Sequence, residues 1–273
     1  MTVNRADTAV VGGGIVGLAH ALAAARRGDR VVLFERDDFA VGASIRNFGM
    51  IWSVGQQRGE VYERALRTRE IWLEIAAKSG LWAAPTGSLH LAHHPDEVAV
   101  LEEFLAITPA ARERGVRMIT AAETRERSTT ARTDGLLAAM WSPTELNVDP
   151  RLAIPAVARH LVTEYGVDIR FGTTVRGIGL PTVSTTEGDW HADRVYVCSG
   201  NDFATLYPEV FARSGLVRCK LQMMRTGAQP AGWQLGPMLC GGLTLLHYAA
   251  VDVGVWKGAR GAPVGVEPPD HPG

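Results

Sequence analysis

The stretch AVVGGGIVGLA spans residues 9–19, and a second apolar run, VVLF at residues 31–34, ends at Glu35. An apolar strand, a Gly-x-Gly-x-x-Gly turn, a helix and a second strand that ends in an acid are typical, in this order, of a dinucleotide-binding βαβ unit. The sequence therefore predicts an α/β protein with a Rossmann-like cofactor domain.

The glycines at positions 12, 14 and 17 each have an expected role in this unit. Gly12 allows a tight turn, Gly14 lets a pyrophosphate approach the backbone, and Gly17 lets the helix lie close to the strands. The first helical residues, Ile15 and Val16, would present free N–H groups to the diphosphate. We therefore expect this segment to bind the phosphates without a lysine.

Glu35 is expected at the adenosine end of the site. A carboxylate at the end of the second strand can accept hydrogen bonds from both ribose hydroxyls, and its charge repels a 2′-phosphate. This position therefore disfavours NADP. An NAD-dependent dehydrogenase that uses the same βαβ unit is an alternative function.

The composition is that of an ordinary soluble protein. The 273 residues carry a formal net charge of −1, with 46% hydrophobic and 21% charged residues, which indicates neither nucleic acid nor a membrane surface as a partner. The uncharged stretch 9–25 is interrupted by glycines and is too short to span a bilayer, so we expect no targeting segment. Cys198, Cys219 and Cys240 are odd in number and far apart, which predicts reduced core residues of a cytoplasmic protein.

Three histidines lie close together at positions 90, 93 and 94. Zinc sites combine such histidines with further cysteine, histidine or acidic ligands at short spacing, and no cysteine or acid accompanies these three at that spacing. The sequence therefore predicts no metal site.

Hydrophobic periodicity and end signals predict the remaining elements. We expect helices at 60–78, 96–114 and 150–165, the last with Asp149 as N-cap and Gly166 after its end. Strands are expected at 87–92, 116–120, 167–171, 173–178, 194–197, 216–226 and 238–250. The glycine- and proline-rich tail, 251–273, is expected to be irregular.

These motifs resemble the FAD-dependent oxidoreductases of the D-amino-acid oxidase, glycine oxidase and sarcosine oxidase superfamily. The resemblance rests on the glycine turn at 12–17, on Phe34-Glu35-Arg36 and on Gly42-Ala43-Ser44, and it covers residues 8 to about 250. The runs SIRNFGMIW at 44–52 and CKLQM at 219–223 are similar to a narrower branch associated with phosphonate catabolism. The resemblance implies FAD as the cofactor.

The resemblance also implies which residues hold the FAD. The loop from Ser44 to Met50 would pass the phosphates, the ribitol and the flavin ring. The backbone of Val175 would pair with adenine, and the turn at Ser199 and Gly200 would close over the pyrophosphate. A surface ion pair is the alternative role for Arg46. The expected cofactor contacts are Gly12, Gly14, Ile15, Val16, Gly17, Glu35, Arg36, Ser44, Arg46, Asn47, Phe48, Gly49, Val175, Ser199 and Gly200.

The family's domain layout is discontinuous. Carried over, residues 1–80 and 142–205 would form the FAD-binding domain, and residues 81–141 and 206–250 an antiparallel-sheet substrate domain. Family members continue through more substrate sheet and a final FAD-domain segment, in place of which this chain has its irregular tail. The resemblance therefore predicts a C-terminally truncated chain with an incomplete substrate domain.

The implied activity is oxidation of a C–N bond in a small amine or amino acid, including an aminophosphonate, by hydride transfer to flavin N5. The enzyme would be an amine or amino-acid oxidase or dehydrogenase. A nucleotide-binding remnant without catalysis is an alternative. The candidates for lining the substrate pocket are Trp52, Lys220, Gln222, Arg225, His247 and Tyr248. Strand-edge charges are the alternative role for Lys220 and Arg225, and ordinary core packing is the alternative for Tyr248.

Overall fold

The computed structural model describes residues 4–247, which form a mixed α/β structure as expected. The strands are β1 (Asn4–Val11), β2 (Val31–Phe34), β3 (Met50–Ile51), β4 (Ala83–Ala84), β5 (Ser88–Ala92), β6 (Arg117–Ile119), β7 (Ala138–Ser142), β8 (Leu146–Val148), β9 (Asp168–Arg170), β10 (Val175–Gly179), β11 (Thr182–Thr185), β12 (Gly188–Val197) and β13 (Met238–Gly241). The helices are α1 (Ile15–Arg26), α2 (Glu60–Ser79), α3 (Pro95–Ile107), α4 (Pro109–Glu113), α5 (Ala121–Arg127), α6 (Pro150–Tyr165) and α7 (Pro208–Arg213), with short 3-10 helices at Ala43–Ile45 and Thr244–His247. Among residues 4–247, no helix is long and apolar enough to cross a membrane.

The described residues divide into two compact units. The first contains residues 4–50, 71–83 and 148–231, and the second contains residues 51–70, 84–147 and 232–247. The short strands β3, β4 and β8 lie where the chain passes from one unit to the other. Relative to the predicted domains, the segment 51–70 falls in the second unit and the segment 206–231 falls in the first.

A six-stranded sheet forms the centre of the first unit, in the order β10-β11-β12-β1-β2-β9. The neighbours β12, β1, β2 and β9 are parallel, whereas β10, β11 and β12 form an antiparallel meander. Parallel strands carry their carboxyl ends at the same edge of a sheet, which is where ligands bind in open α/β folds. The segments after Val11, Phe34 and Val197 therefore meet at one edge.

Alternate residues of β1 and β2 face two different cores, as expected for strands buried on both faces. Val10 and Leu33 belong to a cluster that includes Leu18 of α1 and Leu161 of α6. Their neighbours in sequence, including Phe34, belong to a second cluster formed with the meander strands. The continuous apolar runs of β1 and β2 reflect this double burial.

Helix α6 begins and ends where the sequence predicts. The carboxylate of Asp149 accepts a hydrogen bond from the backbone N–H of Arg151 at 2.9 Å, and Pro150 takes the first helical position. Gly166 ends the helix in the left-handed region at φ 65°. These end signals depend on local chemistry alone, which explains why they can be read from sequence.

The second unit contains a four-stranded sheet in the order β13-β5-β7-β6. Strand β13 is parallel to β5, and the remaining neighbours are antiparallel. One core of this unit includes Leu101 and Phe104 of α3 with Met140 of β7. Another includes Leu89 of β5 and Ile119 of β6.

The predicted helix at 96–114 is in fact two helices, α3 and α4. Thr108 separates them with a non-helical φ of −124° and ψ of 70°. Pro109 explains the break, because its ring disfavours the helical conformation in the preceding residue and it has no N–H to donate.

The predicted strand at 216–226 is wrong. This segment is irregular and exposed, and in the described part of the chain it pairs with no other strand. Its apolar pattern resembles a strand, but a strand also needs a neighbour that supplies backbone hydrogen bonds. Cys219 lies on this segment and is exposed, so its predicted core position is also wrong.

The prediction for 238–250 is correct only in part. Strand β13 covers Met238–Gly241, a 3-10 helix follows at Thr244–His247, and residues beyond 247 lie outside the described residues. The predicted irregular tail, 251–273, also lies outside them. Cys198 and Cys240 are partly buried, Cys198 packs against the core of the first unit, and all three cysteines are free thiols.

Candidate dinucleotide site

The glycine turn joins β1 to α1 at the carboxyl edge of the first unit's sheet. Gly12 has a φ of 107°, and a Cβ at this position would collide with the carbonyl oxygen of Cys198. A Cβ on Gly17 would collide with the carbonyl oxygen of Gly12. The turn, the end of β12 and the first turn of α1 are therefore in direct backbone contact, which only glycine permits here.

The first turn of α1 begins at this edge of the sheet. Gly14 is its extended N-cap, and the first turn contains no acidic residue. The backbone N–H of Ile15 donates to Ser44 Oγ at 2.9 Å, and a Cβ on Gly14 would lie 3.0 Å from the same oxygen. Val16 is 57% exposed. The structure therefore brings together Gly14, Ile15 and Ser44, which are far apart in sequence, at a helix end suited to an anion.

Glu35 lies beside the glycine turn. Its Oε2 accepts a hydrogen bond from the N–H of Gly13 at 2.6 Å, and its Oε1 accepts one from the N–H of Asp37 at 3.1 Å. The backbone of Glu35 is held by the carbonyl of Arg170 and the N–H of Thr173. An ionised carboxylate has about four acceptor sites. Glu35 therefore keeps acceptor capacity for ribose hydroxyls while its position is fixed.

The loop at 43–50 is shaped by its own side chains. Asn47 Nδ2 donates to the carbonyls of Ala43 at 3.1 Å and Ser44 at 3.0 Å, and its Oδ1 accepts from the N–H of Gly49 at 2.8 Å. The carbonyl of Gly49 accepts from the N–H of Val148, and a Cβ on Gly49, whose φ is 71°, would collide with the Val148 carbonyl. Asn47 and Gly49 therefore have structural roles that hold the loop in place.

Three side chains of the same loop point away from the core. Phe48 is 68% exposed and Met50 38%, so the loop carries exposed apolar surface. Arg46 is exposed as well, and among residues 4–247 it forms no ion pair with an acidic side chain. Within the described residues the charge of Arg46 is therefore not used by an acidic side chain, and its role in binding the cofactor stays a prediction.

The turn after β12 carries a residue that the sequence analysis missed. Cys198 N–H donates to the carbonyl of Val11, and Ser199 Oγ donates to the carbonyl of Asp202. Asp202 Oδ1 accepts from the N–H groups of Ala204 and Thr205, and Oδ2 accepts from Thr205 Oγ1. Gly200 continues this turn with a φ of 62°. Aspartate side chains often accept hydrogen bonds from backbone N–H groups two and three residues later, so the sequence could have indicated this turn.

Asp202 also forms an ion pair with Arg36, with 2.7 Å between Arg36 Nη1 and Asp202 Oδ2. The Thr205 hydroxyl, the backbone N–H groups and the charge of Arg36 hold the pKa of the Asp202 carboxyl below its usual range, although burial acts in the opposite direction. Asp202 is therefore ionised at neutral pH, and Arg36 is engaged by a protein carboxylate.

His20 is a second residue that the sequence analysis missed. Its Nδ1 lies 2.8 Å from the carbonyl oxygen of Val16 and 3.8 Å from Cys198 Sγ, and its ring packs on Tyr196 with 4.9 Å between centroids. Burial raises the pKa of the Cys198 thiol. The thiol beside the glycine turn is therefore protonated at neutral pH and is a poor nucleophile.

Val175 begins β10 in the first unit. It is buried and pairs with Thr185 of β11. A role of its backbone in binding adenine stays a prediction.

The described candidates for the substrate pocket are divided between the two units. Lys220, Gln222 and Arg225 lie on the exposed irregular segment of the first unit. Trp52 packs in the second unit against His90, with 5.7 Å between ring centroids. The backbone of His247 ends the last 3-10 helix, and Tyr248 lies outside the described residues.

The three histidines differ in their surroundings. His90 is fully buried, and burial lowers its pKa to about 4. His94 is the N-cap residue of α3. In the described part of the chain, no group of three or more histidine, cysteine or acidic side chains could hold a metal ion.

Taken together, the residues at this edge fit a dinucleotide. A glycine turn, the N-terminus of α1 with Ser44 Oγ on the Ile15 N–H, a fixed carboxylate and an exposed arginine supply donors, acceptors and charge of the kinds that a diphosphate and a ribose require. A side chain at Gly14 would fill the space in front of the helix start.

Comparison with known proteins agrees with this interpretation. A family profile described as "FAD dependent oxidoreductase" (DAO) matches residues 7–260. Aerobic glycerol-3-phosphate dehydrogenase of Bacillus subtilis is 31% identical over 171 residues, which are 56% of this chain and 29% of that protein.

Two solved structures show the same fold. L-Proline dehydrogenase from P. horikoshii has a TM-score of 0.67 and 26% identity, over 78% of this chain and 57% of that one. Glycine oxidase from Geobacillus kaustophilus has a TM-score of 0.64 and 26% identity, over 76% of this chain and 58% of that one. The chain therefore spans less than two thirds of the length of each of these relatives.

Proposed function

The chain belongs to the DAO family of FAD-dependent oxidoreductases, and from this premise we propose that it binds FAD and oxidises a C–N bond of a small amine or amino acid. The observation that carries the proposal is the assembly of the glycine turn, Ser44 and Glu35 at one edge of the first unit's sheet. When bound, FAD would supply the hydride acceptor, flavin N5. The match gives no support to the NAD alternative.

The chain's own residues would bind and orient the cofactor. The N-terminus of α1 would hold the diphosphate, where Ile15 N–H already faces an oxygen acceptor, and Arg46 would add a positive charge. Glu35 would accept the ribose hydroxyls. Asn47 would act indirectly by holding the loop that carries Arg46 and Phe48. This division of roles stays a proposal for each residue.

The substrate class is proposed from two sources. Glycine oxidase and L-proline dehydrogenase, whose names describe amino-acid substrates, share the fold at 26% identity. The resemblance of the runs at 44–52 and 219–223 to the phosphonate-associated branch favours an aminophosphonate within this class. Lys220 and Arg225 are exposed cations that would suit a phosphonate dianion.

A second candidate function is nucleotide binding without amine oxidation. The observation that favours it is the position of Lys220, Gln222 and Arg225 on an exposed irregular segment rather than in a pocket. Both candidates require the same cofactor site, so they differ only in turnover.

The test is reconstitution of the purified chain with FAD, followed by gel filtration and a visible spectrum. Substrates would be glycine, proline, N-methyl amines, aminomethylphosphonate and glycerol 3-phosphate, with oxygen and a dye as alternative acceptors and ammonia or amine as the product measured. Bound flavin with turnover of an amine supports the first candidate, and bound flavin without turnover supports the second. Failure to retain FAD while NAD is bound would refute the first candidate. A cytoplasmic location and a small-molecule partner stay predictions.

A further inference from the structure

The ion pair between Arg36 and Asp202 joins two segments that flank the glycine turn. Arg36 follows Glu35 at the end of β2, and Asp202 lies in the turn after β12. Strand β1 lies between β2 and β12 in the sheet. Neighbouring strands are about 4.8 Å apart, so the ends of β2 and β12 are separated by roughly 10 Å. The two side chains therefore bridge this distance past the exit of β1.

Both ends of the bridge are attached to the glycine turn. On one side, the carboxylate of Glu35 accepts the N–H of Gly13 at 2.6 Å. On the other side, Cys198 N–H donates to the carbonyl of Val11 at 2.8 Å, and the Cys198 carbonyl is packed against Gly12. A change in the separation of Arg36 and Asp202 would consequently move both walls of the candidate diphosphate site.

We propose that Asp202 is a positioning residue for the dinucleotide: its ion pair with Arg36 fixes the separation of the two loops that flank the glycine turn and thereby slows release of FAD. This inference rests on the proposed binding of FAD. It requires no direct contact between Asp202 and the cofactor.

The two carboxylate oxygens of Asp202 have different partners, so a substitution can remove the ion pair and keep the hydrogen bonds that shape the turn. Oδ1 accepts the N–H groups of Ala204 and Thr205, at 3.1 Å each, whereas Oδ2 faces Arg36 and Thr205 Oγ1. In Asp202→Asn the amide oxygen can keep both N–H bonds, while the negative charge opposite Arg36 Nη1 is lost. Arg36 then keeps its longer contact, 3.6 Å from Nε to Asp37 Oδ2, with a carboxylate of its own segment, which does not reach the turn after β12. Arg36→Gln removes the same ion pair from the other side, at a side chain that is 51% exposed.

The chain offers a matched control in an ion pair between β1 and the residue that precedes β2. Arg30 Nη2 lies 2.9 Å from Asp7 Oδ1, and the N–H of Arg30 donates to Asp7 Oδ2 at 2.7 Å. Asp7 belongs to β1 and Arg30 precedes β2, so this pair also links neighbouring segments. It is remote from the carboxyl edge where the glycine turn lies. Asp7→Asn therefore removes a comparable ion pair without touching the candidate site.

The experiment measures the dissociation rate and Kd of FAD by flavin fluorescence for the wild type, Asp202→Asn, Arg36→Gln, the double variant, Asp202→Glu and Asp7→Asn. We expect each single variant of the bridge to weaken FAD binding about tenfold, mainly through faster release, and the double variant to be no weaker than either. Asp202→Glu should recover part of the loss, and Asp7→Asn should stay within about twofold of the wild type. Asp202→Asn and Asp7→Asn should lower the melting temperature of the cofactor-free protein by similar amounts.

Three outcomes would overturn the inference. Asp202→Asn could bind FAD like the wild type, or the effects of Asp202→Asn and Arg36→Gln could add in the double variant, which would mean that Arg36 acts without Asp202. If the wild type retains no FAD, both the inference and the proposed function are refuted. If FAD binds and the bridge variants release it faster but no amine is oxidised, the inference stands and the proposed activity fails. If Asp202→Asn does not fold, the two single variants Arg36→Gln and Asp202→Glu still test whether the ion pair slows FAD release.

Discussion

Acidification from pH 7 to pH 5 should destabilise this protein through His90. The imidazole lies in the second unit with no exposed surface, stacked on Trp52 and with Met140 and Cys240 as its register partners on the neighbouring strands. Burial disfavours the charged ring and lowers its pKa to about 4. An unfolded histidine has a pKa of about 6.5.

The sign and size of the effect follow from this difference. As the pH falls below about 6.5 the unfolded chain gains a proton at His90, whereas the folded chain gains it only near the folded pKa of about 4. The free energy of unfolding therefore falls across this window. The loss is about 2 kcal/mol at pH 5 and approaches about 3 kcal/mol below pH 4. Above pH 7 the group contributes no pH dependence.

Urea unfolding of the wild type, His90→Leu and Met140→Ala at pH 7 and pH 5 measures this effect. Because other groups also titrate, the quantity of interest is the difference in pH dependence between variants. The wild type should lose about 2 kcal/mol more than His90→Leu between the two pH values. Met140→Ala damages the same core without removing a titratable group, so it should keep the wild-type pH dependence. Equal pH dependence in the wild type and His90→Leu would refute the reasoning.

Three further predictions concern the cofactor site, a buried carboxylate and the thiols. Gly14→Val should abolish FAD uptake, because its side chain would occupy the space beside Ser44 Oγ. The measurement is flavin absorbance after reconstitution. As a control, Gly177→Ala should bind FAD like the wild type, because a Cβ at Gly177 meets nothing within 4 Å. Glu145→Gln should cost about 2–3 kcal/mol in urea unfolding, because the buried carboxylate accepts three hydrogen bonds, whereas exposed Glu102→Gln should have little effect. Exposed Cys219 should react with a thiol reagent at least about tenfold faster than the other two cysteines, whose pKa values burial raises; three equally fast thiols would contradict this.

Features with a local cause could be predicted from the sequence. The glycine turn, the limits of α6 and the apolar strands β1 and β2 depend on residues a few positions apart, and the structure has all of them. The break at Pro109 also has a local cause and could have been recognised from the preference of the residue before a proline.

Features that depend on residues far apart in the sequence could not be predicted from it. Asp202 is an ordinary turn residue until β12 and β2 bring it to Arg36, 166 positions away. Glu145 is likewise a buried acceptor only because Val54 and Ser88 come to it from other segments. The strand predicted at 216–226 failed for the converse reason, since its pattern is apolar but the described chain provides no neighbour for it.

The position of β1 between β2 and β12 has a consequence for biosynthesis. One edge of β1 can pair with β2 soon after both emerge, but the other edge waits for β12, because Asn4 pairs with Trp190. At roughly 5–20 residues per second, a ribosome needs about 10–40 s to make the intervening chain. During this time an apolar strand edge is open to other chains, and the Cys198 wall of the glycine turn does not yet exist. Cofactor uptake therefore cannot begin before β12 has been made, and a chaperone that shields β1 until then should raise the yield of folded protein.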